Sequence, residues 1–464
     1  MQRIRTIQLG EHVGERVTLM GWLHQLRALG KISFVIVRDG YGLAQAMTQD
    51  AAVLAALRGL ANESVIQVEG TVVSEPQAPN GNELHDLSIH VLTPVTETTP
   101  FPINKPFVEA TLDSFLDHAP IGLRHPRRRA LLRLSAAVMA AFREFLNGEG
   151  FTEIQSPKLV ASATESGANV FAVDYFGKKA YLAQSPQFYK QMMVGIFERV
   201  YEVGPVFRAE PHDTTRHVNE YVSMDVEFGF IENHFTVMAL LTRLIRQILA
   251  RLAERQATEL GLLDVKMPTT TTVIASREAA KQSPINAEIA TSQKPLLAMT
   301  GEETFPHIHF RDAQQLILDK YGEDCRGEPD LAPQHERWLG AWARETHHSD
   351  FLFVTGYPMV KRPFYTHPDP ANPGYSNSFD LIFRGTELVT GGQRLHLYTD
   401  YLAALTRVKL PTEPFEYYLE AMKFGMPPHG GFAIGLERFI MQLCGLQNLR
   451  EATLFPRDQK RLTP

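Results

Sequence analysis

Three short segments of the sequence place charged side chains and glycines in patterns that suit the binding of phosphates and carboxylates. In the first, residues 206–217, Arg208 and Glu210 lie two positions apart in a predicted strand, and a polar loop with Arg216 and His217 follows. Residues two apart on a strand face the same side, where an arginine can form paired hydrogen bonds with a phosphate or carboxylate. An ion-paired strand edge is the common alternative for an isolated Arg–Glu pair.

The second and third segments are richer in glycine. Residues 387–394 contain an acid and a hydroxyl three positions apart, Glu387 and Thr390, then two glycines and Arg394. This set could hold a hard cation beside an anionic substrate, or it could be a strand with a bulge. Residues 430–438 predict a glycine-rich strand that would let a ligand approach the backbone closely, although a tight packing turn explains this segment too.

The composition of the chain is that of an ordinary globular protein with a sizeable core. It has 464 residues, 44% of them hydrophobic and 21% charged, which suits two or three domains. The net charge of −6 gives no overall basic field, but RNA binding needs only a local basic or stacking surface. Cys325 and Cys444 have no metal-like spacing, and neither a signal peptide nor a membrane helix is evident, so we expect a protein of the reducing cytoplasm without membrane contact.

Residues 1–95 are predicted to form a small β-barrel. Five stretches rich in valine, isoleucine and leucine are separated by turn residues, and a helix is predicted over 50–60 between the third and fourth stretches. The predicted strands cover residues 16–23, 31–39, 42–48, 64–74 and 84–92. Five strands with a helix at that place are typical of the OB fold, a common oligonucleotide binder.

The rest of the chain is predicted to be a linker and then an α+β domain. Residues 96–128 are interpreted as a linker or hinge because prolines and threonines cluster around their start. The basic cluster 124–129 could contact an RNA backbone, but a solvated helix start is the favoured interpretation. Residues 129–464 begin with an amphipathic helix over 129–147, and the polar stretch 269–303 is predicted to be a surface insertion.

Residues 206–217 and 430–438 resemble motifs 2 and 3 of the class II aminoacyl-tRNA synthetases, and residues 387–394 resemble the acidic strand between those motifs. The helix over 129–147 with residues 151–157 resembles motif 1. An N-terminal OB barrel is typical of their aspartyl, asparaginyl and lysyl members. Residues 185–190 (Ser-Pro-Gln-Phe-Tyr-Lys), 208–217 and 455–464 resemble the archaeal-type aspartyl branch. The implied fold is α+β, an OB-fold barrel before a catalytic domain with an antiparallel sheet flanked by helices. The motif 1 proline lies at a dimer interface in that family, so the resemblance also implies a homodimer.

The resemblance implies ATP-dependent attachment of L-aspartate to tRNA through an aspartyl-adenylate, with Mg²⁺ as cofactor. Arg208 and Arg438 would be catalytic, and Glu387 with Thr390 would bind the metal. The residues expected to bind aspartate are Glu165, Gln187, Lys190, Arg208, Asp225, Thr390, Arg394 and His429. Those expected to bind ATP are Arg208, Glu210, Arg216, His217, Glu387, Gly435, Leu436, Glu437 and Arg438. The charges of Lys190 and Arg394 would favour aspartate over its neutral amide.

In the barrel, Arg27, Phe34 and Gln45 match positions that contact the anticodon in that family, with Phe34 as the stacking aromatic. His24 and Pro79 stand where strict tRNA(Asp) members carry Trp and Lys, and they resemble the members that also charge tRNA(Asn). An amidotransferase would then convert the aspartyl-tRNA(Asn). The alternatives are ordinary barrel core for Phe34 and neutral variation for His24 and Pro79.

Two residues depart from the family pattern, and four other functions are alternatives to aspartylation of both tRNAs. Ser166 replaces a glycine in the loop that closes over the substrate, and Leu395 stands where a charged residue is common. A strictly discriminating aspartyl enzyme and an asparaginyl-tRNA synthetase stay open, whereas an ammonia-dependent asparagine synthetase lacks a barrel. A non-catalytic RNA-binding paralogue would be expected to lose Arg208, Glu387 or Arg438, and all three are present. DNA is not an expected partner.

Overall fold

The computed structural model describes residues 3–161, 169–211, 214–270 and 304–464. The chain divides into two compact units, Met1–Arg129 and Ala130–Pro464. Among the residues described, we find no helix that is long and apolar enough to cross a membrane. Nearly all of the predicted insertion, from residue 271 to 303, lies outside the described ranges.

The first unit is built on a closed, five-stranded barrel. Its strands are β1 (Arg16–Leu29), β2 (Ile32–Arg38), β3 (Leu43–Thr48), β4 (Val65–Ser74) and β5 (Asn82–Thr93). They pair in the order β1-β2-β3-β5-β4, and helix α1 (Ala51–Leu57) lies between β3 and β4 in the chain. Asp50 caps this helix by accepting hydrogen bonds from two backbone N–H groups of its first turn. Alternate residues of β3 and β4 are buried, and the predicted OB fold is confirmed.

Strand β1 is longer than the sequence predicted. A bulge interrupts its pairing with β2 between Leu23 and Gln25, after which the ladder continues to Leu29. Residues 26–29 are exposed. Because they bury neither side, they lack the alternation of hydrophobic and polar residues from which a strand is predicted.

Residues 96–128 contain more structure than the predicted linker. Two short helices, α2 (Leu112–Asp117) and α3 (Ala119–Gly122), lie within them. Phe101, Ile103, Phe115 and Leu116 form a small hydrophobic cluster of their own. The prolines near the start of the segment do not exclude helices that begin later, so the segment assigned as a linker contains local structure that was not predicted.

The basic cluster after these helices is engaged within the first unit. Arg124 Nη1 lies 3.2 Å from Glu63 Oε2, and Arg129 Nη1 donates to the carbonyl of Asp39 at 2.6 Å. The guanidinium of Arg128 lies 4.6 Å from the centre of the Phe115 ring. The favoured interpretation as a solvated helix start was therefore incomplete, because these arginines pack against the barrel unit.

The second unit contains a large mixed sheet and a small one. Its strands are β6 (Thr152–Glu153), β7 (Leu159–Val160), β8 (Ala172–Tyr175), β9 (Lys178–Leu182), β10 (Arg199–Phe207), β11 (Glu220–Gly229), β12 (His307–His309), β13 (Phe351–Thr355), β14 (Ser378–Phe383), β15 (Thr386–Gln393) and β16 (His429–Gly435). The large sheet has the order β12-β13-β14-β15-β16-β11-β10-β6, and β7-β9-β8 form the small one. From β13 to β10 all neighbours are antiparallel, whereas the two edge strands pair in parallel.

Helices flank the large sheet, as the resemblance implied. They are α4 (Pro126–Gly148), α5 (Gln187–Phe197), α6 (His234–Arg255), α7 (Ala257–Leu262), α8 (Phe310–Tyr321), α9 (Pro333–His347), α10 (Tyr398–Arg407), α11 (Glu416–Lys423) and α12 (Leu436–Cys444). The apolar faces of α4, α6 and α12 and the strands form one buried hydrophobic cluster. A second cluster contains residues of α5, α10 and α11. The predicted helix over 129–147 is α4, which begins at Pro126 because proline is tolerated in a first helical turn.

Candidate active site

A cavity of about 410 Å³ in the second unit brings together most of the predicted site residues. They reach it from α5, from the loop between β10 and β11, from β11 and β15, and from the start of α12. The predicted residues that line it are Gln187, Lys190, Arg208, Glu210, Arg216, His217, Asp225, Glu387, Thr390, Arg394, Gly435, Glu437 and Arg438. These distant parts of the chain meet because β15, β16 and β11 are neighbours in the sheet.

Arg208 and Glu210 line the cavity, but they do not lie on a strand as predicted. Strand β10 ends at Phe207, and the Glu210 N–H donates to the Arg208 carbonyl at 2.8 Å, a turn that an extended strand does not contain. The Arg208 N–H donates to Asn219 O at 2.9 Å across the loop. Its guanidinium carbon lies 5.8 Å from the centre of the Tyr221 ring. The arginine is therefore presented by a loop that is fixed between two paired strands.

Arg216 and His217 lie farther along the same loop. Thr214 Oγ1 accepts a hydrogen bond from Arg216 N at 3.2 Å and lies 2.6 Å from His217 Nδ1. This local turn places two more basic side chains on the cavity wall. Three basic residues on one loop suit the binding of a polyphosphate.

Two cations and two anions form a buried charge cluster beside the cavity. Lys190 Nζ lies 2.9 Å from Asp225 Oδ1 and 3.3 Å from Glu227 Oε2, and Arg394 Nε lies 2.9 Å from Glu227 Oε1. No side chain of the four is more than 8% exposed. The formal charges of the four side chains cancel. The sequence had suggested two uncompensated positive charges in the cavity, and the structure does not show them.

Glu227 was not predicted, although it orients Arg394. Burial raises the pKa of Glu227, but the charges of Arg394 and Lys190 outweigh burial and hold that pKa below its ordinary value. Gly431 on the adjacent strand leaves the necessary room, since a Cβ there would lie 2.3 Å from Glu227 Oε2. The available signal was a second carboxylate two residues after Asp225, on the same side of a predicted strand.

Glu387 and Thr390 share one side of β15, although residues three apart on a regular strand face opposite sides. The register with β14 shifts between Leu381 and Ile382, which leaves Leu388 as an extra residue in β15. Thr390 Oγ1 donates to Glu387 Oε1 at 2.9 Å. The sequence analysis treated a bulge and a cation site as alternative interpretations of residues 387–394. In the structure, the bulge is the feature that brings Glu387 Oε1 and Thr390 Oγ1 together.

Asp380 adds a second carboxylate at this place and was not predicted. It lies opposite Thr390 in the β14–β15 pairing, and its Oδ1 accepts a hydrogen bond from Arg362 Nη2 at 3.0 Å. Burial raises the pKa of Asp380 to about 6, the Arg362 charge opposes that rise, and the Glu387 charge adds to it. An aspartate within a buried, otherwise apolar strand was the signal that could have revealed it.

These oxygen-bearing side chains fit a magnesium ion. Mg²⁺ in phosphoryl-transfer sites is held by one or two carboxylates, and substrate phosphates and water complete its octahedral shell. Glu387 and Thr390 line the cavity and offer oxygen ligands only, whereas Asp380 does not line the cavity and is paired with Arg362. In the described part of the chain, no three His, Cys, Asp or Glu side chains are grouped so that they could hold a metal ion by themselves.

The segment Gly435–Arg438 combines cavity wall and core. Arg438 Nη1 donates to Glu387 O at 3.0 Å, and both carboxylate oxygens of Glu437 lie 3.1 Å from the N–H of Val222. The side chain of Leu436 belongs to the hydrophobic core and does not line the cavity. Leu436 could therefore contribute to a nucleotide site only through its backbone.

Two of the residues expected to bind aspartate are not seen at the cavity wall. His429 is completely buried and does not line the cavity. Its ring lies behind Gln191, with the two Nε2 atoms 3.0 Å apart. Glu165, like the departure at Ser166, lies outside the described residues.

The three predicted anticodon residues share one side of the barrel sheet. Arg27 and Phe34 are directly opposite each other in β1 and β2, and Gln45 is opposite Ile36, two residues beyond Phe34. Phe34 is only partly buried and does not belong to the barrel core. Its exposure favours the predicted stacking role over the core alternative.

His24 and Pro79 occupy irregular positions of the first unit. His24 is the bulged residue of β1 and is only 7% exposed, and burial, together with the charge of Arg38, lowers its pKa to about 4. Pro79 lies in a short 3-10 helix between β4 and β5. A neutral, buried His24 is better placed to shape the adjoining backbone than to contact a base with its own ring.

Comparisons with known proteins identify the family to which the chain belongs. The family model for class II tRNA synthetases of the D, K and N group matches residues 112–459, and that for the OB-fold nucleic acid binding domain matches residues 17–92. The chain is similar to the aspartate–tRNA(Asp/Asn) ligase of Deinococcus radiodurans, with 42% identity over 100% of this chain and 99% of the relative. It is also 37% identical to the aspartate–tRNA(Asp) ligase of Pyrococcus horikoshii, over 97% of each chain.

A solved structure gives the same result for the fold. The asparaginyl-tRNA synthetase of Pyrococcus horikoshii, complexed with asparaginyl-adenylate, is 29% identical and superimposes with a TM-score of 0.83 over 98% of this chain and 97% of that one. The match covers both the barrel and the domain that contains the cavity. The chain therefore belongs to the class II aminoacyl-tRNA synthetases of the D, K and N group, ligases that join an amino acid to tRNA.

Proposed function

We propose that this enzyme attaches L-aspartate to tRNA(Asp) and tRNA(Asn) through an aspartyl-adenylate. The observation that carries the proposal is the meeting of Lys190 and Arg394 with Asp225 in one cavity. Two cationic donors suit the side-chain carboxylate of aspartate, and an acid beside them suits its ammonium group. The similarity to aspartate–tRNA(Asp/Asn) ligases supports the same amino acid.

The first step needs positioning rather than a protein nucleophile. The α-carboxylate of aspartate attacks the α-phosphorus of ATP, a P–O bond forms to that carboxylate, and the bond to the leaving pyrophosphate breaks. Arg208 stabilises the negative charge that develops on the phosphoryl oxygens, while Arg216, His217 and Arg438 hold the leaving phosphates. Mg²⁺, bound through Glu387 and Thr390, would neutralise further phosphate charge.

In the second step, the terminal ribose hydroxyl of the tRNA attacks the carbonyl carbon of the adenylate. An ester bond forms, AMP leaves with the bonding electron pair, and the hydroxyl proton passes to a phosphate oxygen or to water. This step requires that the tRNA be recognised at its anticodon, for which we propose the surface of Arg27, Phe34 and Gln45 on a domain covering residues 1–95. Phe34 would stack on a base, as exposed aromatics do in single-stranded RNA recognition.

We propose that charging of tRNA(Asn) arises from the barrel rather than from the aspartate site. His24 and Pro79 resemble the pattern of members that accept both tRNAs, and the bulge at His24 makes the local backbone sensitive to that residue. An amidotransferase would then complete asparaginyl-tRNA(Asn). We propose that the enzyme works in the cytoplasm, where translation occurs.

We also propose that the enzyme is a homodimer. Exposed apolar side chains of Ile196, Phe230 and Phe424 support this state. The segments that carry them are adjacent, since Gly195 lies against Met426 and Gly229 lies against Pro427. Such a group is unusual on a surface that stays in water. Light scattering coupled to size-exclusion chromatography would give twice the mass of 52.2 kDa for a dimer and the single mass for a monomer.

The experiment that tests the proposed function is to charge tRNA(Asp) and tRNA(Asn) transcripts separately with labelled aspartate and with labelled asparagine. Aspartate on both transcripts supports the proposal as a whole. Aspartate on tRNA(Asp) alone would refute the roles of His24 and Pro79 but keep the aspartate site. Asparagine on tRNA(Asn) would refute the aspartate site itself and favour the asparaginyl alternative.

A second experiment tests the role of Arg208. Arg208→Ala should lower aspartate-dependent ATP–pyrophosphate exchange by about 10²–10³-fold or more, the effect of removing one preorganised donor to a transition-state oxygen. Because Arg208 lies in a loop and not in the hydrophobic core, the melting temperature should change little. Normal exchange activity in this variant would refute the assignment.

A further inference from the structure

A buried hydrogen-bond network lies directly behind the cavity residue Gln187. Gln191 is four residues farther along α5 and therefore on the same helical face. Its amide contacts four partners: Gln187, Tyr401, Tyr418 and His429. Gln191, Tyr401, Tyr418 and His429 are each 0% exposed, so water cannot replace any of these contacts.

The proton positions in this network follow from His429. Its Nδ1 lies 2.9 Å from the carbonyl oxygen of Pro427, and a carbonyl only accepts, so Nδ1 carries a proton. Burial lowers the pKa of His429 to about 4, with the Glu227 charge opposing. The ring is therefore neutral at physiological pH, and Nε2 is left as an acceptor.

A neutral His429 fixes the orientation of Gln191. The atom 3.0 Å from His429 Nε2 must be a donor, so it is the amide nitrogen of Gln191, whose second N–H donates to Tyr401 Oη at 3.1 Å. The amide oxygen of Gln191 then points the other way, where it accepts from Tyr418 Oη at 3.0 Å and from Gln187 Nε2 at 2.9 Å. If the Gln191 amide were reversed, its oxygen would face His429 Nε2, and two acceptors would then lie next to each other without a proton between them.

The orientation of Gln191 in turn sets that of Gln187. Because the nitrogen of Gln187 is used to donate to Gln191, its carbonyl oxygen is the end that is available to the cavity that Gln187 lines. An ammonium group donates hydrogen bonds and accepts none, so a carbonyl oxygen binds it and an amide NH₂ group repels it. From this chain of contacts we infer that His429 and Gln191 are positioning residues, which turn the oxygen of Gln187 toward the ammonium group of the amino-acid substrate.

This inference rests on the proposed function, since it assumes that an amino acid occupies the cavity. It also assigns His429 a different role from the direct substrate contact expected from the sequence. Two variants of His429, one with leucine and one with glutamine, test the inference. His429→Leu removes the acceptor, whereas His429→Gln restores a neutral acceptor oxygen on a side chain of similar reach.

The readout is a comparison of two ligands in ATP–pyrophosphate exchange. L-Malate has a hydroxyl in place of the ammonium group, and a hydroxyl can bind either end of the Gln187 amide. In His429→Leu we expect the KM for aspartate to rise about tenfold, with the KM for ATP and the inhibition constant of malate each within about twofold of wild type. In His429→Gln the KM for aspartate should return to within about threefold of wild type.

Every other outcome counts against the inference. Parallel increases for aspartate, malate and ATP would indicate a merely structural role, and wild-type constants in His429→Leu would show that Gln187 needs no support. If His429→Leu does not fold, Gln191→Met removes the oxygen that holds Gln187 and carries the same expectation. A wild-type enzyme without aspartate-dependent exchange would instead refute the proposed function, and the inference with it.

Discussion

Replacing Lys190 by methionine tests the buried charge cluster directly. The change removes one positive charge and keeps most of the side-chain volume, so that Glu227 keeps only Arg394 and Asp225 loses its lysine partner. At the observed distances of 2.9 and 3.3 Å, each ion pair of Lys190 is worth about 5–6 kcal/mol at an effective dielectric constant of 20. The loss of lysine desolvation offsets much of this, and removing one partner of a buried pair leaves a net cost of about 3–5 kcal/mol.

The cost should depend on pH. In the wild type the pKa of Glu227 lies below its ordinary value, so the carboxylate stabilises the fold above the pKa of the unfolded chain, and this contribution is lost as the pH falls. Without Lys190 the carboxylate pair should bind a proton more readily, which removes the unpaired negative charge. We therefore expect a melting temperature several degrees below wild type at pH 8, and a smaller difference at pH 5.

Lys190→Met should also weaken the binding of aspartate. Losing one charged hydrogen-bonding group from a dry site costs about 1.5–3 kcal/mol, which corresponds to an increase of the KM for aspartate by roughly 10- to 150-fold. The assay is aspartate-dependent ATP–pyrophosphate exchange, with the melting temperature measured at both pH values.

Lys158→Met provides a matched control. Lys158 pairs with the buried Glu202 at 2.5 Å but does not line the cavity, so its loss should lower the melting temperature and leave the KM for aspartate near that of wild type. Two results would refute the reasoning about Lys190: an unchanged KM for aspartate, or a stability loss of the same size at pH 5 and pH 8.

Three further predictions concern the metal, the anticodon surface and a buried acid. Glu387→Gln should raise the Mg²⁺ concentration for half-maximal exchange by about tenfold, because it removes a charged ligand; an unchanged magnesium titration would exclude the assigned ligand. Phe34→Leu should raise the KM for tRNA by roughly 5- to 150-fold, the loss of one stacked base, while leaving exchange without tRNA unchanged; equal charging kinetics would refute the stacking role. Burial raises the pKa of Glu437 to about 7 from an ordinary 4.5. The protonated side chain therefore stabilises the fold fully below pH 4.5, and this stabilisation is lost as the pH rises through 7. The melting temperature of Glu437→Gln should rise relative to that of wild type between pH 5 and pH 8, and a constant difference would contradict this.

The sequence predicted well those parts of the fold in which one side of an element is buried. The alternating strands of the barrel and the amphipathic helix α4 carry their burial pattern in the order of their residues. The exposed end of β1 and the small helices after Thr111 carry no such pattern over a useful length. Their structure depends on cross-strand pairing and on a small local core, which a single segment does not reveal.

In the site, the sequence identified the residues but not their partners. The resemblance to a known family named Lys190 and Arg394, yet it did not reveal that Glu227 forms an ion pair with both. Opposing charges that lie far apart in the chain meet because β15, β16 and β11 are neighbours in the sheet and Lys190 of α5 reaches Asp225 of β11. The turn at Arg208 was missed, and the bulge at Leu388 was only an alternative, because each breaks the regular two-residue period on which a strand prediction rests.

The neutrality of the cluster changes the physical account of how aspartate is distinguished from asparagine. A net positive pocket would attract any anion, whereas fixed donors on Lys190 and Arg394 require acceptors at particular places. A carboxylate offers an acceptor oxygen to each cation, but an amide offers one oxygen and one NH₂ group, so one cation would face a donor. Selectivity would then come from a mismatch built against the amide, and it should be reduced by any variant, such as Glu227→Gln, that lets Arg394 turn away from its position.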